Sequence, residues 1–163
     1  ERFVRGSWCS AVLFYDGTQD SNDTIAAWST LEQHMKGVML FHRISILVPS
    51  PADPWGWIEP DQLPLVRIYS RYLDSVPELR WPATPRRTRD FLVGHLPSRV
   101  SHLAAPADVQ RFFSAAMSTA PRTLLCSASS APQPVLSSLS LQFPRIAFAQ
   151  ALASTTAACR RAL

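Results

Sequence analysis

The architecture of this chain is most readily inferred from one segment, Gln62-Leu63-Pro64-Leu65-Val66-Arg67-Ile68-Tyr69. Pro64 stands directly ahead of a predicted strand in which apolar and polar residues alternate. Proline has no backbone N–H, so within a sheet it belongs at the first residue of a strand, at an edge or at a bulge. We therefore expect a strand to begin at Pro64, with the proline ring turned towards whatever lies beside that end of the sheet.

The residues on either side of this segment predict further strands and helices. Residues 10–16 form an apolar run of strand length, closed by Asp16-Gly17, and read as a central strand. Apolar residues recur at helical spacing from Ile25 to Met35. The predicted order is a possible first strand at 2–5, a strand at 10–16, a helix at 24–36 with Asp23 as its N-cap, strands at 38–48, 65–71 and 79–81, and a helix opened by Thr84-Pro85.

This order resembles a thioredoxin-like domain of the protein disulfide isomerase type over residues 1–98. The resemblance implies an α/β fold, the thioredoxin-like sandwich, in which a cis-proline at Pro64 faces the place where relatives carry a redox pair. We therefore expect the Leu63–Pro64 bond to be cis.

Residues 99–163 resemble a partial second thioredoxin-like unit, the first half of the non-catalytic domain that follows a catalytic one in the isomerases. Their pattern predicts strands at 99–103, 123–127 and 145–149, and helices at 108–117 and 135–143. Three strands without a closing hairpin make an incomplete sheet, which a partner could finish.

Thiol chemistry is not expected, because the sequence has no Cys-x-x-Cys pair. In a thioredoxin-like oxidoreductase that pair opens the first long helix, where the helix dipole lowers the pKa of one thiol. Here residues 18–23 occupy that position, and residues 129–133 occupy it in the second unit; neither stretch contains cysteine. We predict a protein that is not an enzyme. A weaker alternative is an enzyme that uses Cys9 or Cys126.

The three cysteines, at positions 9, 126 and 159, are interpreted as small buried or idle thiols. Their odd number argues against a complete disulfide framework. The four histidines show no ligand spacing, and no phosphate-binding loop or nucleophile elbow is present. We assign no metal, no cofactor and no small-molecule substrate.

Charge is distributed unevenly along the chain. Residues 1–98 carry ten basic and eleven acidic groups, a net of −1, whereas residues 99–163 carry six arginines and one acid, a net of +5. These arginines are too dispersed for a dedicated nucleic-acid surface, which makes nucleic-acid binding an unfavoured interpretation. No apolar run reaches 18 residues, so we predict no membrane-spanning helix; association with a membrane complex through protein partners remains open.

Candidate binding residues lie in three places. Leu63 and Pro64 mark the end of the sheet that accepts extended segments in relatives. Aromatic residues in a proline-rich loop can anchor a partner, although packing over the edge of the sheet explains them at least as well. Arginines at the start of a helix either face solvent or contribute to an interface. The candidates are Trp55, Trp57, Leu63, Pro64, Arg86 and Arg87.

We therefore expect a non-catalytic thioredoxin-like module that binds proteins, as a structural or adaptor subunit of a larger assembly. The alternative is an endoplasmic-reticulum folding factor, a disulfide isomerase-like chaperone that binds extended polypeptides. A chaperone should leave the Pro64 face open and exchange its clients, whereas a structural subunit should bury it permanently. The expected location is organelle-associated, either the endoplasmic-reticulum lumen or the mitochondrion.

Overall fold

The computed structural model describes residues 8–17, 22–48, 53, 55–56, 58–80, 83–114, 120–154 and 159. The chain divides into two compact units, Glu1–Pro97 and Ser98–Leu163. The strand predicted at 2–5 lies outside the described residues. Within the described part of the chain, no helix is both long and apolar enough to cross a membrane.

The first unit contains a four-stranded mixed sheet. Its strands are β1 (Ser10–Tyr15), β2 (Leu40–Ser45), β3 (Leu65–Tyr69) and β4 (Glu78–Arg80), in the spatial order β2-β1-β3-β4. β1 pairs in parallel with β2 and antiparallel with β3, and β3 pairs antiparallel with β4. The central position predicted for residues 10–16 is confirmed, and β2 is shorter than the 38–48 expected from sequence.

Two helices accompany this sheet. The first, α1 (Asn22–His34), joins β1 to β2 and buries Thr24, Trp28 and Leu31. It begins at Asn22, so Asp23 lies in its first turn and the prediction of Asp23 as the N-cap was wrong. The second, α2 (Pro85–Gly94), begins as predicted, because the Thr84 side chain accepts a hydrogen bond from the backbone N–H of Arg87.

Successive residues of β1 face opposite sides of the sheet, as the strand period of two requires. Ala11 and Leu13 belong to one buried cluster, which includes Trp28 of α1 and Leu92 of α2. Val12 and Phe14 belong to a second cluster with Ile46, Ile58, Leu65 and Tyr69. Both faces of β1 are therefore covered by apolar side chains, as its apolar sequence indicated.

The second unit alternates strands and helices. Its elements are β5 (Ser101–Leu103), α3 (Pro106–Ser114), β6 (Arg122–Ser127), α4 (Pro134–Gln142) and β7 (Ala147–Leu152). The three strands are parallel in the order β5-β7-β6, so the last strand in sequence is the central one. This is the strand–helix alternation expected for the first half of a thioredoxin-like unit, although β7 begins two residues later than predicted.

A buried glutamine fixes the loop between β6 and α4. The Gln150 side chain lies in the middle of β7 and is only 3% exposed. Its Nε2 donates to the carbonyl oxygens of Ser129 (3.1 Å) and Ala131 (2.8 Å), while its Oε1 accepts from the backbone N–H of Gln133 (3.1 Å). The amide is therefore satisfied by the loop, which offsets the cost of its burial.

Candidate functional site

Strand pairing places the start of β3 beside the ends of its neighbours. Leu65 pairs with Phe14 near the end of β1 and with Arg80 at the end of β4, and Tyr15 pairs with Ser45 at the end of β2. Pro64 directly precedes Leu65, so it lies at this edge. We call this edge of the sheet the Pro64 end.

The Leu63–Pro64 peptide bond is cis, which confirms the prediction. A single turn of 3-10 helix, Pro60–Gln62, leads into it, and the backbone N–H of Leu63 donates to the carbonyl of Pro60 at 3.2 Å. Leu63 packs against the second core cluster, and both Leu63 and Pro64 are half-buried. The Pro64 end is thus held by the core and still partly accessible to a partner.

Two neighbouring apolar side chains are exposed just beyond the end of β2. Leu47 and Val48 are 79% and 80% exposed. A Cβ atom placed on Gly17, whose φ is +77°, would lie 2.7 Å from Ser45 Oγ and 3.2 Å from a methyl carbon of Leu47. Only glycine fits this close approach of the chain after β1 to the chain after β2. Sequence analysis included Leu47 and Val48 in a strand and missed their exposure.

Trp55 packs over the sheet face and does not form part of its edge. Its ring makes edge-on contacts with Phe14 of β1 and Tyr69 of β3, each at 5.8 Å between centroids. Nη1 of Arg67 donates to the Trp55 carbonyl at 2.6 Å, which ties the loop to β3. Trp55 is half-buried by these contacts; Trp57 lies outside the described residues.

The sequence analysis did not identify Arg67, which attaches the loop that carries Trp55 to β3. Its side chain is 10% exposed, its Nε lies 2.7 Å from a carboxylate oxygen of Glu78, and its guanidinium carbon is 5.7 Å from the centre of the Phe14 ring. Arg67 and Glu78 are also paired across β3 and β4. The available signal was a charged residue in the middle of a predicted strand, because a charged side chain that is buried there needs a partner.

The structure places Arg86 and Arg87 on the exposed first turns of α2, in different surroundings from Leu63 and Pro64. Arg86 lies beside Ala27 and Leu31 of α1, and its Nε is 3.9 Å from a carboxylate oxygen of Asp90. That ion pair is fully solvated and contributes little to stability.

The cysteines differ from the sequence interpretation in one respect. Cys126 and Cys159 form a disulfide, although the three residues were predicted as idle thiols. They are 33 positions apart, and only the fold brings β6 next to residue 159. Spacing along the chain carries no information about such a pair, which explains the error.

Cys9 is a free thiol with no exposed surface, and burial raises its pKa to about 12. The reactive thiolate is therefore nearly absent at neutral pH.

We expect native chain to resist iodoacetamide at pH 7.5, and chain unfolded in guanidinium to take up one carbamidomethyl group, counted by mass spectrometry. Rapid modification of the native chain at Cys9 would contradict this assignment.

The described residues contain no group of three or more histidine, cysteine or acidic side chains placed to hold a metal ion.

No family model and no curated protein matches this chain. Among solved structures, it is similar to a crystal structure of ERdj5 (form II; 14% identity, TM-score 0.49), over 94% of this chain and 21% of that one. It is also similar to zinc-bound human ERp44 (11%, 0.44), over 93% and 44%, and to the first two thioredoxin domains of Saccharomyces cerevisiae Eps1p (14%, 0.41), over 99% and 75%. The chain spans less than half the length of the ERdj5 and ERp44 chains.

The order and pairing of the strands and helices describe the architecture of this chain more directly than these similarities do. A central strand is flanked by one parallel and one antiparallel neighbour, a helix crosses from β1 to β2, and a hairpin strand and helix close the unit. Together with the cis proline at the start of β3, these features give the first unit the thioredoxin-like fold that the sequence predicted.

Proposed function

We propose that this chain is a non-catalytic thioredoxin-like module that binds other proteins through its Pro64 end, as a structural or adaptor subunit of a larger assembly. The observation that carries the proposal is the combination of a partly accessible Leu63–Pro64 edge with exposed Leu47 and Val48 at the same end of the sheet. Exposed apolar side chains that form a continuous patch are typical of protein contact sites.

Thiol exchange is not part of this proposal. The first unit has one cysteine in its sequence, the buried Cys9, and no Cys-x-x-Cys pair, which supports contact without thiol exchange. The contact surface is thereby separated from the redox chemistry found in relatives with a Cys-x-x-Cys pair. The module would hold a partner and leave its disulfides unchanged.

The disulfide favours an oxidising cellular compartment for this chain. Disulfides persist in oxidising environments such as the endoplasmic-reticulum lumen and are rare where thiols are kept reduced. Cys126 and Cys159 are joined, and the remaining thiol is buried. We therefore favour the endoplasmic-reticulum lumen over the mitochondrion for this chain.

The second candidate function is a folding factor in the same lumen that binds extended polypeptides. It is favoured by the 79% and 80% exposure of Leu47 and Val48, because a surface of this kind is available to many clients. The two functions differ in what occupies the Pro64 end: one permanent partner or a changing set of unfolded chains.

Site-specific photo-cross-linking in cells should distinguish them. We expect a photoreactive residue at position 48 to cross-link a discrete protein, and the same residue at position 76 to give none. Val76 is a matched control, since it is 45% exposed in the loop between β3 and β4, at the opposite end of the sheet. A broad set of cross-linked polypeptides at position 48 would favour the folding factor, and no difference between the two positions would refute both.

Loss of the apolar pair should weaken the same complex. We expect Leu47→Ser/Val48→Ser to lower affinity for the cross-linked partner about tenfold or more. Losing even half of the apolar area that the two side chains bury against the partner costs about 1.5 kcal/mol of binding free energy. Binding can be measured by surface plasmon resonance with Val76→Ser as the control. Equal affinity for the double variant and wild type would exclude this surface.

A further inference from the structure

A groove runs between α1 and α2 in the first unit, separate from the residues of the Pro64 end. It has a volume of about 560 Å³. Its apolar floor is formed by Ala27 and Leu31 of α1 and by Pro85 at the start of α2. Along α1, lining residues extend from Ala27 to His34, a rise of about 10 Å or two helical turns.

The rim of this groove is basic. Arg86 and Arg89 line it from α2, and His34 lines it from α1. The Nδ1–H of His34 donates to the Thr30 carbonyl at 2.7 Å, which fixes the ring and leaves Nε2 for an external partner. All three basic side chains belong to exposed residues.

Acidic side chains do little to neutralise this rim. Asp90 lies 3.9 Å from Arg86, at the limit of an ion pair, and the two side chains are 67% and 91% exposed. Glu32 is the acid of α1 closest in sequence to His34, but it lines a different cavity, with Lys36 and His42. No acidic residue lines the groove itself among the described residues.

We propose that this groove binds an acidic amphipathic helix of a partner protein. Two turns of such a helix match the length of the α1 side of the groove from Ala27 to His34, with apolar residues of the helix against Ala27 and Leu31. Glutamate or aspartate side chains on its flanks would pair with Arg86 and Arg89, and arginine favours such contacts because its planar fork matches a carboxylate. The groove is a second contact surface, independent of whether the Pro64 end binds protein.

Charge reversal within one helix tests the proposal. The probe is a 16-residue helical peptide with leucines on one face and glutamates flanking them, titrated into the full oxidised chain by isothermal titration calorimetry. We expect micromolar binding to wild type and at least a tenfold loss with Arg86→Glu/Arg89→Glu. Arg43→Glu is the control for charge reversal, because Arg43 is an exposed arginine of the same unit, on β2, that does not line the groove. It should bind within twofold of wild type.

The remaining arms separate charge, apolar contact and small-anion binding. A peptide with glutamine in place of glutamate should bind at least fivefold more weakly, and inorganic phosphate should neither bind with comparable affinity nor displace the acidic peptide. Circular dichroism should show the same helix content in all variants. The proposal is overturned if the acidic peptide does not bind wild type, if Arg43→Glu weakens binding as much as the double variant, or if phosphate competes fully.

Discussion

Replacing both Cys126 and Cys159 with serine is expected to lower the free energy of unfolding of the second unit by about 4 kcal/mol. The disulfide closes a loop with a sequence separation of 33, and a cross-link of that length restricts the unfolded chain by about this amount. Cys159 also belongs to a small buried cluster with Val109 and Ala151, and loss of the link would release it from that cluster.

Hydrogen–deuterium exchange read by mass spectrometry can localise this effect. Peptides covering β6 and β7 should exchange faster in the double variant, and peptides covering β1 should not change. Reductant should accelerate exchange of β6 and β7 in wild type to a similar extent, and should add nothing in the double variant. Unchanged exchange of β6 and β7 after reduction would show that the disulfide does not stabilise the unit.

The substitution Arg67→Ala is expected to destabilise the first unit by about 3 kcal/mol, because it removes a hydrogen bond from a charged group together with the packing of a largely buried side chain. Glu78 is 46% exposed and can be rehydrated, so most of the loss should come from the Trp55 carbonyl and from the space left beside Phe14. The loop that carries Trp55 would then lose its hydrogen bond to β3 and keep the ring contacts of Trp55 with Phe14 and Tyr69.

Urea denaturation followed by circular dichroism measures this change. Arg71→Ala is the control, because Arg71 lies just after β3, is exposed, and contacts the hydroxyl and ring of the neighbouring Tyr72. Its effect should stay within about 0.5 kcal/mol. Similar values for Arg67→Ala and Arg71→Ala would mean that the buried arginine does not hold the loop.

Local signals in the sequence were sufficient for the framework of the first unit. Pro64 marked the start of β3, the Thr84-Pro85 pair marked the start of α2, and the apolar run from Ser10 marked the central strand. Each of these signals acts within a few residues along the chain, which is why it can be recognised before the fold is known.

The features that were missed depend on residues distant in sequence. Cys126 meets Cys159, and Arg67 reaches back to Trp55, only after the strands have paired. The exposure of Leu47 and Val48 could not be predicted either, because apolar residues at the end of a strand are equally consistent with burial. Candidate contact surfaces were therefore harder to predict than the fold that presents them.

Gln150 has an implication for how the second unit can tolerate sequence change. The segment between β6 and α4 is rich in serine, alanine and proline, a composition usually associated with variable linkers. Its path is nevertheless specified by an amide located 19 to 21 positions downstream, through bonds to main-chain atoms. An exposed position such as Ser130 can therefore diverge without loss of these bonds, whereas Gln150→Leu, equally acceptable by strand propensity, would remove all three bonds that attach the segment to the middle of β7.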